Sequence, residues 1–157
     1  MKRRIAFWGI AAVLICGYFV TGWFIARDGT TDTQKIESLI EHGKIAIERH
    51  DLGDIVSCVS GDYRDSHGLT YMTLRVQAAQ WLRTGRNIEI AGRILSVQVA
   101  GVEGRTAYHA TVRVDGESVF NGDLRLYLKK EPAWRYLVFR VREWKVVAIE
   151  GYPSGLE

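Results

Sequence analysis

Cysteine is almost missing from this chain of 157 residues: there are two, Cys16 inside an apolar run and Cys58 beyond it. No internal disulfide can form outside that run, even in an oxidising compartment, so Cys58 reads as a small buried apolar residue. No Asn-x-Ser/Thr sequence occurs, and no N-glycan acceptor is present. Internal repeats and low-complexity tracts are absent, which excludes repeat architectures. A basic surface is missing too. The chain has 21 Lys and Arg against 18 Asp and Glu, but Lys2, Arg3, Arg4 and Arg27 flank the apolar run, which leaves 17 against 18 from residue 28 onward. The net positive charge belongs to the flanks of the run, and no nucleic-acid partner is implied.

What is present is one long hydrophobic stretch. Residues 5–26, IAFWGIAAVLICGYFVTGWFIA, are 22 positions without Asp, Glu, Lys, Arg or His. Crossing about 30 Å of hydrocarbon takes roughly 20 helical residues, so the run is expected to be a transmembrane helix in contact with the lipid bilayer. The basic start on one side and Arg27-Asp28 on the other orient it with the amino terminus in the cytoplasm. A cleavable signal peptide shares the basic start, but its apolar core is typically about 7–15 residues and ends at a small-residue cleavage site, whereas Trp23-Phe24-Ile25 is bulky. The expected organisation is a cytoplasmic stub at 1–4, the transmembrane helix at 5–26, a linker at 27–33, one domain at 34–150 and a tail at 151–157. The expected location is the inner (cytoplasmic) membrane, single-pass, with the domain periplasmic or extracellular.

Within the domain, Thr31 and Gln34 form a helix-start signature, and Ile36, Leu39, Ile40, Ala46 and Ile47 recur at helical spacing until Asp51-Leu52-Gly53. A short helix over Asp54–Val59 follows, then the loop 60–68. Thr70 caps a third helix to about Thr84, and its wide apolar surface (Met72, Leu74, Val76, Ala79, Trp81) marks it as the central packing helix. The remainder alternates as strands. Ile88, Ile90 and Ile94 shift to Leu95, Val97 and Val99, which predicts a bulge. Asp115-Gly116 predicts a tight hairpin, Gly122 a bulge, Lys130–Ala133 a turn, and Trp134–Ile149 a long last strand. Tyr108, Ala110, Val112 and Val114 share one face of the second strand, with Phe120, Leu124, Leu126 and Leu128 on the same face of the third. The fold class is α+β: three helices packed in a curved four-stranded antiparallel sheet.

The helix IESLIEHGKIAIERHD, the segment LGDIVSCVS, the loop DYRDSHG and the final Trp144-Lys145-Val146 together resemble the nuclear transport factor 2-like, cone-shaped superfamily that includes ketosteroid isomerases and polyketide cyclases. The resemblance implies the fold; for function it implies little, because that fold hosts isomerases, cyclases, lyases, small-molecule binders and assembly modules. The enzymes among them place an acid, a base or a histidine inside the cone. Here the apolar faces of the strands carry no ionisable side chain, and His109, Asp123, Arg125, Arg140 and Arg142 fall on the other face. No catalytic residue, metal ligand or cofactor is therefore assigned.

Two residue sets remain. Tyr63, Asp65, His67 and Tyr71, with Asp62 beside them, are the candidate ligand-binding cluster; Asp and Ser there also serve as turn formers. His42 and His50 read as surface or boundary residues. Tyr127, Trp134, Tyr136 and Trp144 include aromatics expected on the outer sheet face, where they would form a contact surface. The functional expectation is a membrane-anchored interaction or assembly module that self-associates or binds another membrane protein, not an enzyme. The architecture of stub, anchor and external domain is similar to assembly components of type IV secretion systems. The alternative is a small-molecule binder or lyase/isomerase-type protein with its pocket near Tyr63, Asp65 and His67.

Overall fold

The computed structural model describes residues 30–135 and 139–152. The stub, the apolar run at 5–26, the first three residues of the linker, Tyr136, the end of the tail and the side chain of Trp134 lie outside the described residues. Among the described residues no helix is long and apolar enough to cross a membrane.

Three helices, α1 (Asp32–Glu48), α2 (Leu52–Ser57) and α3 (Tyr71–Leu82), precede four strands, β1 (Ile88–Ala100), β2 (Glu103–Val114), β3 (Glu117–Arg135) and β4 (Phe139–Glu150). The strands form one open sheet in the order β1-β2-β3-β4, an antiparallel meander. The core and every site described below belong to the compact unit Thr31–Glu131 with Arg142–Glu157; Pro132–Val141, at the ends of β3 and β4, groups separately.

Each helix starts where its cap dictates. Thr31 accepts from the Gln34 N–H at 3.3 Å while the Gln34 side chain accepts from the Thr31 N–H at 2.9 Å, a reciprocal capping box. Asp51 accepts from the Asp54 N–H at 3.0 Å, so α2 begins at Leu52, two residues earlier than the apolar pattern suggests. The β1–β2 register shifts between Ile94 and Ser96, as the change of alternation predicts. Asp115 and Gly116 have φ of 54° and 86°, the two left-handed positions of a tight hairpin.

The structure corrects four expectations. The β2–β3 irregularity lies opposite Val112 and Arg113 and makes Val119 the extra residue, while Gly122 pairs regularly with Ala110. Phe120 and Leu124 already share one parity, so nothing between them needs to slip. β3 runs straight through Lys130–Ala133, held there by the Lys130 N–H donating to the Val102 carbonyl at 2.8 Å. The central helix is α1, not α3. Ile36 of α1 is fully buried, whereas α3 has no buried residue, packs against α2, and leaves Met72 61% and Val76 52% exposed. Apolar residues spread around all sides of α3 give it no single face to bury. Finally, Trp144 is 4% exposed and belongs to the core with Ile36, Tyr63, Tyr108, Ala110, Leu126, Leu128 and Val146. It is therefore not an outer-face aromatic.

The reason for Trp144 facing inward is visible at Gly104. A β-carbon there would sit 3.0 Å from Ile36 Cδ1 and 3.2 Å from Trp144 Cζ3, so the bare backbone makes room for both side chains. Ile36→Ala should cost about 3 kcal/mol by emptying this contact. The pair Met72→Ala, Val76→Ala should cost less than about 1 kcal/mol in total. Urea unfolding of the full-length chain in detergent measures both; a larger loss from the α3 pair would contradict α1 as the central helix.

Candidate functional site

The loop after α2 is sewn onto β4. The Ser60 N–H donates to the Val146 carbonyl at 2.9 Å, the Val146 N–H to Cys58 at 2.9 Å, and the Arg64 N–H to Val147 at 3.0 Å. The Tyr71 N–H closes the loop on the Tyr63 carbonyl at 3.2 Å. Asp65, 8% exposed, fills its interior. Its Oδ1 accepts from the His67 and Leu69 N–H groups, both at 2.9 Å, and its Oδ2 accepts from the hydroxyls of Tyr63, at 3.2 Å, and Tyr152. The His67 ring lies 4.6 Å from that of Tyr152, centroid to centroid.

Burial pushes the Asp65 carboxyl up, but the donors, led by the Tyr152 hydroxyl and the Leu69 N–H, outweigh it and hold the group below the ordinary value of 3.8. The Tyr63 and Tyr152 hydroxyls are pushed up, first by burial and then by this carboxylate. Of the candidate ligand-binding residues, Tyr63 and Asp65 are thus buried and bonded to each other, Tyr71 contributes its backbone, and His67 is exposed beside Tyr152. With four donors on two oxygens, the carboxylate has little capacity left for a ligand. These bonds hold the loop together and tie it to Tyr152.

A second polar cluster was not foreseen. Lys130, on the inner register of β3 beyond Leu126 and Leu128, donates to Asp32 Oδ2 at 2.7 Å and lies 5.1 Å from the centroid of Trp144, whose N–H reaches Asp32 Oδ1 at 3.4 Å. The Lys130 hydrogen bond is the largest effect lowering the Asp32 carboxyl below its ordinary value. This bond ties the first turn of α1 to the far end of β3. No pattern reveals it, because the partners are 98 positions apart.

Among the described residues the outer sheet face is largely exposed. His109 and Asp123 pair across β2 and β3 at 2.6 Å, and the Tyr127 hydroxyl donates to Glu150 at 2.9 Å. The Arg105 guanidinium lies 5.5 Å from the centroid of Tyr127, its cross-strand neighbour. Beside them is a depression of about 260 Å³ lined by Ser96, Gln98, Arg105, Ala107, Arg125 and Tyr127 among others. His42 pairs loosely with Asp54 at 3.7 Å, and the His50 ring meets the Arg86 carbonyl at 2.9 Å, both tying helix ends together. Among the described residues no three His, Cys, Asp or Glu side chains are placed to hold a metal ion.

An α+β domain with helix α1 packed on an open four-stranded meander is the class these elements define. Its likeness to solved structures places it in the nuclear transport factor 2-like, cystatin-like fold. A nuclear transport factor 2-like protein of unknown function from Shewanella oneidensis is 11% identical with a TM-score of 0.60, over 76% of this chain and 97% of that one. A cystatin-like domain of unknown function from Nostoc punctiforme is 14% identical with a TM-score of 0.60, over 76% of each chain. Bd1075 of Bdellovibrio bacteriovorus is 12% identical with a TM-score of 0.62, over 79% of this chain; the match spans only 41% of the Bdellovibrio protein. No family model matches the sequence, and no curated protein matches it.

Asp65→Asn should lower stability by about 2 kcal/mol at neutral pH, the usual loss for hydrogen bonds to a buried charge. Because the folded carboxyl titrates below the unfolded one, its contribution is complete above the unfolded value and disappears as pH falls through the folded one. The stability gap between wild type and variant should therefore shrink below about pH 4 in denaturant titrations. A gap independent of pH would mean that the carboxylate charge does not organise the loop. His67→Ala should leave stability within about 0.5 kcal/mol of wild type, as an exposed side chain would.

Proposed function

We propose that this protein is a single-pass inner-membrane protein whose nuclear transport factor 2-like domain lies outside the cytoplasm and serves as a non-enzymatic assembly module. It associates with itself or with another membrane protein. The apolar run at 5–26 and its basic flank supply the anchor and its orientation. The observation that carries the assembly role is the outer sheet face, on which Arg93, Arg105, Arg113, Asp123, Arg125 and Lys129 are all exposed among the described residues. Tyr127 stands among them, held by Glu150 and Arg105. An amphipathic aromatic with a fixed hydroxyl, ringed by guanidinium groups, has the make-up of a protein contact. The interior offers less to a substrate: Tyr63, Asp65, Lys130 and Asp32 all satisfy one another.

In-cell crosslinking of the full-length chain, with an anchor-only control, tests this reading. Specific capture of a second copy or of one membrane complex is expected, and Tyr127→Ala should reduce it several-fold while leaving the amount of protein in the membrane unchanged. Capture no greater than that of the anchor alone would overturn the assembly role; recovery of the chain in the soluble fraction would overturn the anchor.

A further inference from the structure

We propose that the depression on the outer sheet face is an oxyanion-binding site, with Arg105 and Arg125 as its cationic arms and a phosphate or carboxylate group as its ligand. The register explains why a hollow exists there. Ser96, Ala107 and Arg125 lie in one row across β1, β2 and β3, and Gln98, Arg105 and Tyr127 lie in the adjacent row. Two small residues, Ser96 and Ala107, therefore form the floor, while the long side chains of the flanking positions form the walls. Arg105 and Arg125 are diagonal neighbours on this face, a spacing at which long side chains on a sheet still meet.

The neighbouring charges leave the two arginines available. Of the nearby acids, Asp123 bonds His109 at 2.6 Å and Glu150 the Tyr127 hydroxyl at 2.9 Å, while the exposed Glu103, two residues before Arg105 on the same face, forms no ion pair with it among the described residues. Neither Arg105 nor Arg125 has a carboxylate within salt-bridge distance among the described residues. Arg105 is also pre-positioned. Its guanidinium is stacked near Tyr127, and that ring is fixed at its far end by Glu150. A guanidinium restrained in this way loses less freedom on binding and keeps its planar fork of donors for a two-oxygen ligand. The Ser96 hydroxyl and the Gln98 amide add neutral donors on the β1 side. A volume of about 260 Å³ suits a small anion or the charged end group of a larger molecule. Chemistry of this kind reads shape and charge together, so Lys at either position would be a poor replacement.

The site stands whether or not the same face binds a second copy, and its test is separate. The full-length chain, labelled with ¹⁵N-arginine in neutral detergent micelles, is titrated with inorganic phosphate at constant ionic strength. The side-chain Nε–Hε signals of Arg105 and Arg125, assigned by their loss in Arg105→Gln and Arg125→Gln, should shift along a saturating curve. Each of those variants should weaken binding about tenfold or more, the scale of losing a charge-assisted bond. Arg125→Lys should weaken it too, whereas Arg113→Gln, on the same face but outside the hollow, should not. A second arm places the chain in nanodiscs of phosphatidylcholine or phosphatidylglycerol without added phosphate. Shifts appearing only with phosphatidylglycerol would identify a lipid headgroup as the source of the anion; shifts with free phosphate would identify a soluble one. Non-saturating shifts in the first arm together with none in the second would overturn the site, as would an equal effect from Arg113→Gln. Phosphate binding without crosslinking would remove the assembly role and keep the site; crosslinking without anion binding would do the reverse.

Discussion

Ile36 occupies the point where helix and sheet meet, and the rest of the domain is arranged around that contact. It is fully buried, and its Cδ1 and the indole of Trp144 on β4 both close on the bare backbone of Gly104 on β2. Because Gly104 has no side chain, Ile36 of α1 and the indole of Trp144 can both occupy space that a β-carbon there would take. The polar end of the same contact is also satisfied: the Trp144 N–H and the Lys130 ammonium converge on Asp32, one helical turn before Ile36. Hydrophobic burial and an ion pair therefore act on the same turn of α1. Partly exposed, that pair adds orientation more than free energy.

Several buried polar groups bond one another, while Thr106 Oγ1, buried on the inner side of β2, has no partner among the described residues. Asp65 accepts four hydrogen bonds, three from Tyr63, His67 and Leu69 nearby and one from Tyr152 near the end of the chain, and Ser60 donates to Glu131 across the domain. Buried polar atoms that bond one another rigidify a structure. On the outer face the arrangement is reversed. There the acids are occupied by His109 and Tyr127, and the guanidinium groups stay exposed. On the described residues the charge is thus unevenly shared between the two sides of the sheet, which is the observation on which the proposed contact role rests.

Several local signals were legible because they act over a few residues. The Thr31–Gln34 capping box, the Asp115-Gly116 hairpin, the bulge near Leu95 and the inward alternation of Tyr108, Ala110, Leu126 and Leu128 all depend on neighbours at fixed spacing. Trp144 and the end of β3 were misread for one shared reason. Alternation carried through Lys130–Ala133 and the residues beyond needs a known register, and that register is set by contacts with Val102, Asp32 and Gly104. The candidate site was partly legible: Tyr63 and Asp65 do lie together, but whether they faced a pocket or one another depended on Tyr152, which is 87 positions from Asp65.

By itself the sequence determined the apolar run at the amino terminus, the order of helices and strands, and most of the face each β2 and β3 residue takes, because those follow from composition and from periods of 3.6 and 2. Only the tertiary structure decided which helix fills the sheet, that Asp65 is shared between its loop and Tyr152, and that Arg105 and Arg125 flank a hollow floored by Ser96 and Ala107. These outcomes rest on pairings across the chain, where a missing β-carbon, a hydroxyl or a small residue on one strand determines what its neighbour on another can do.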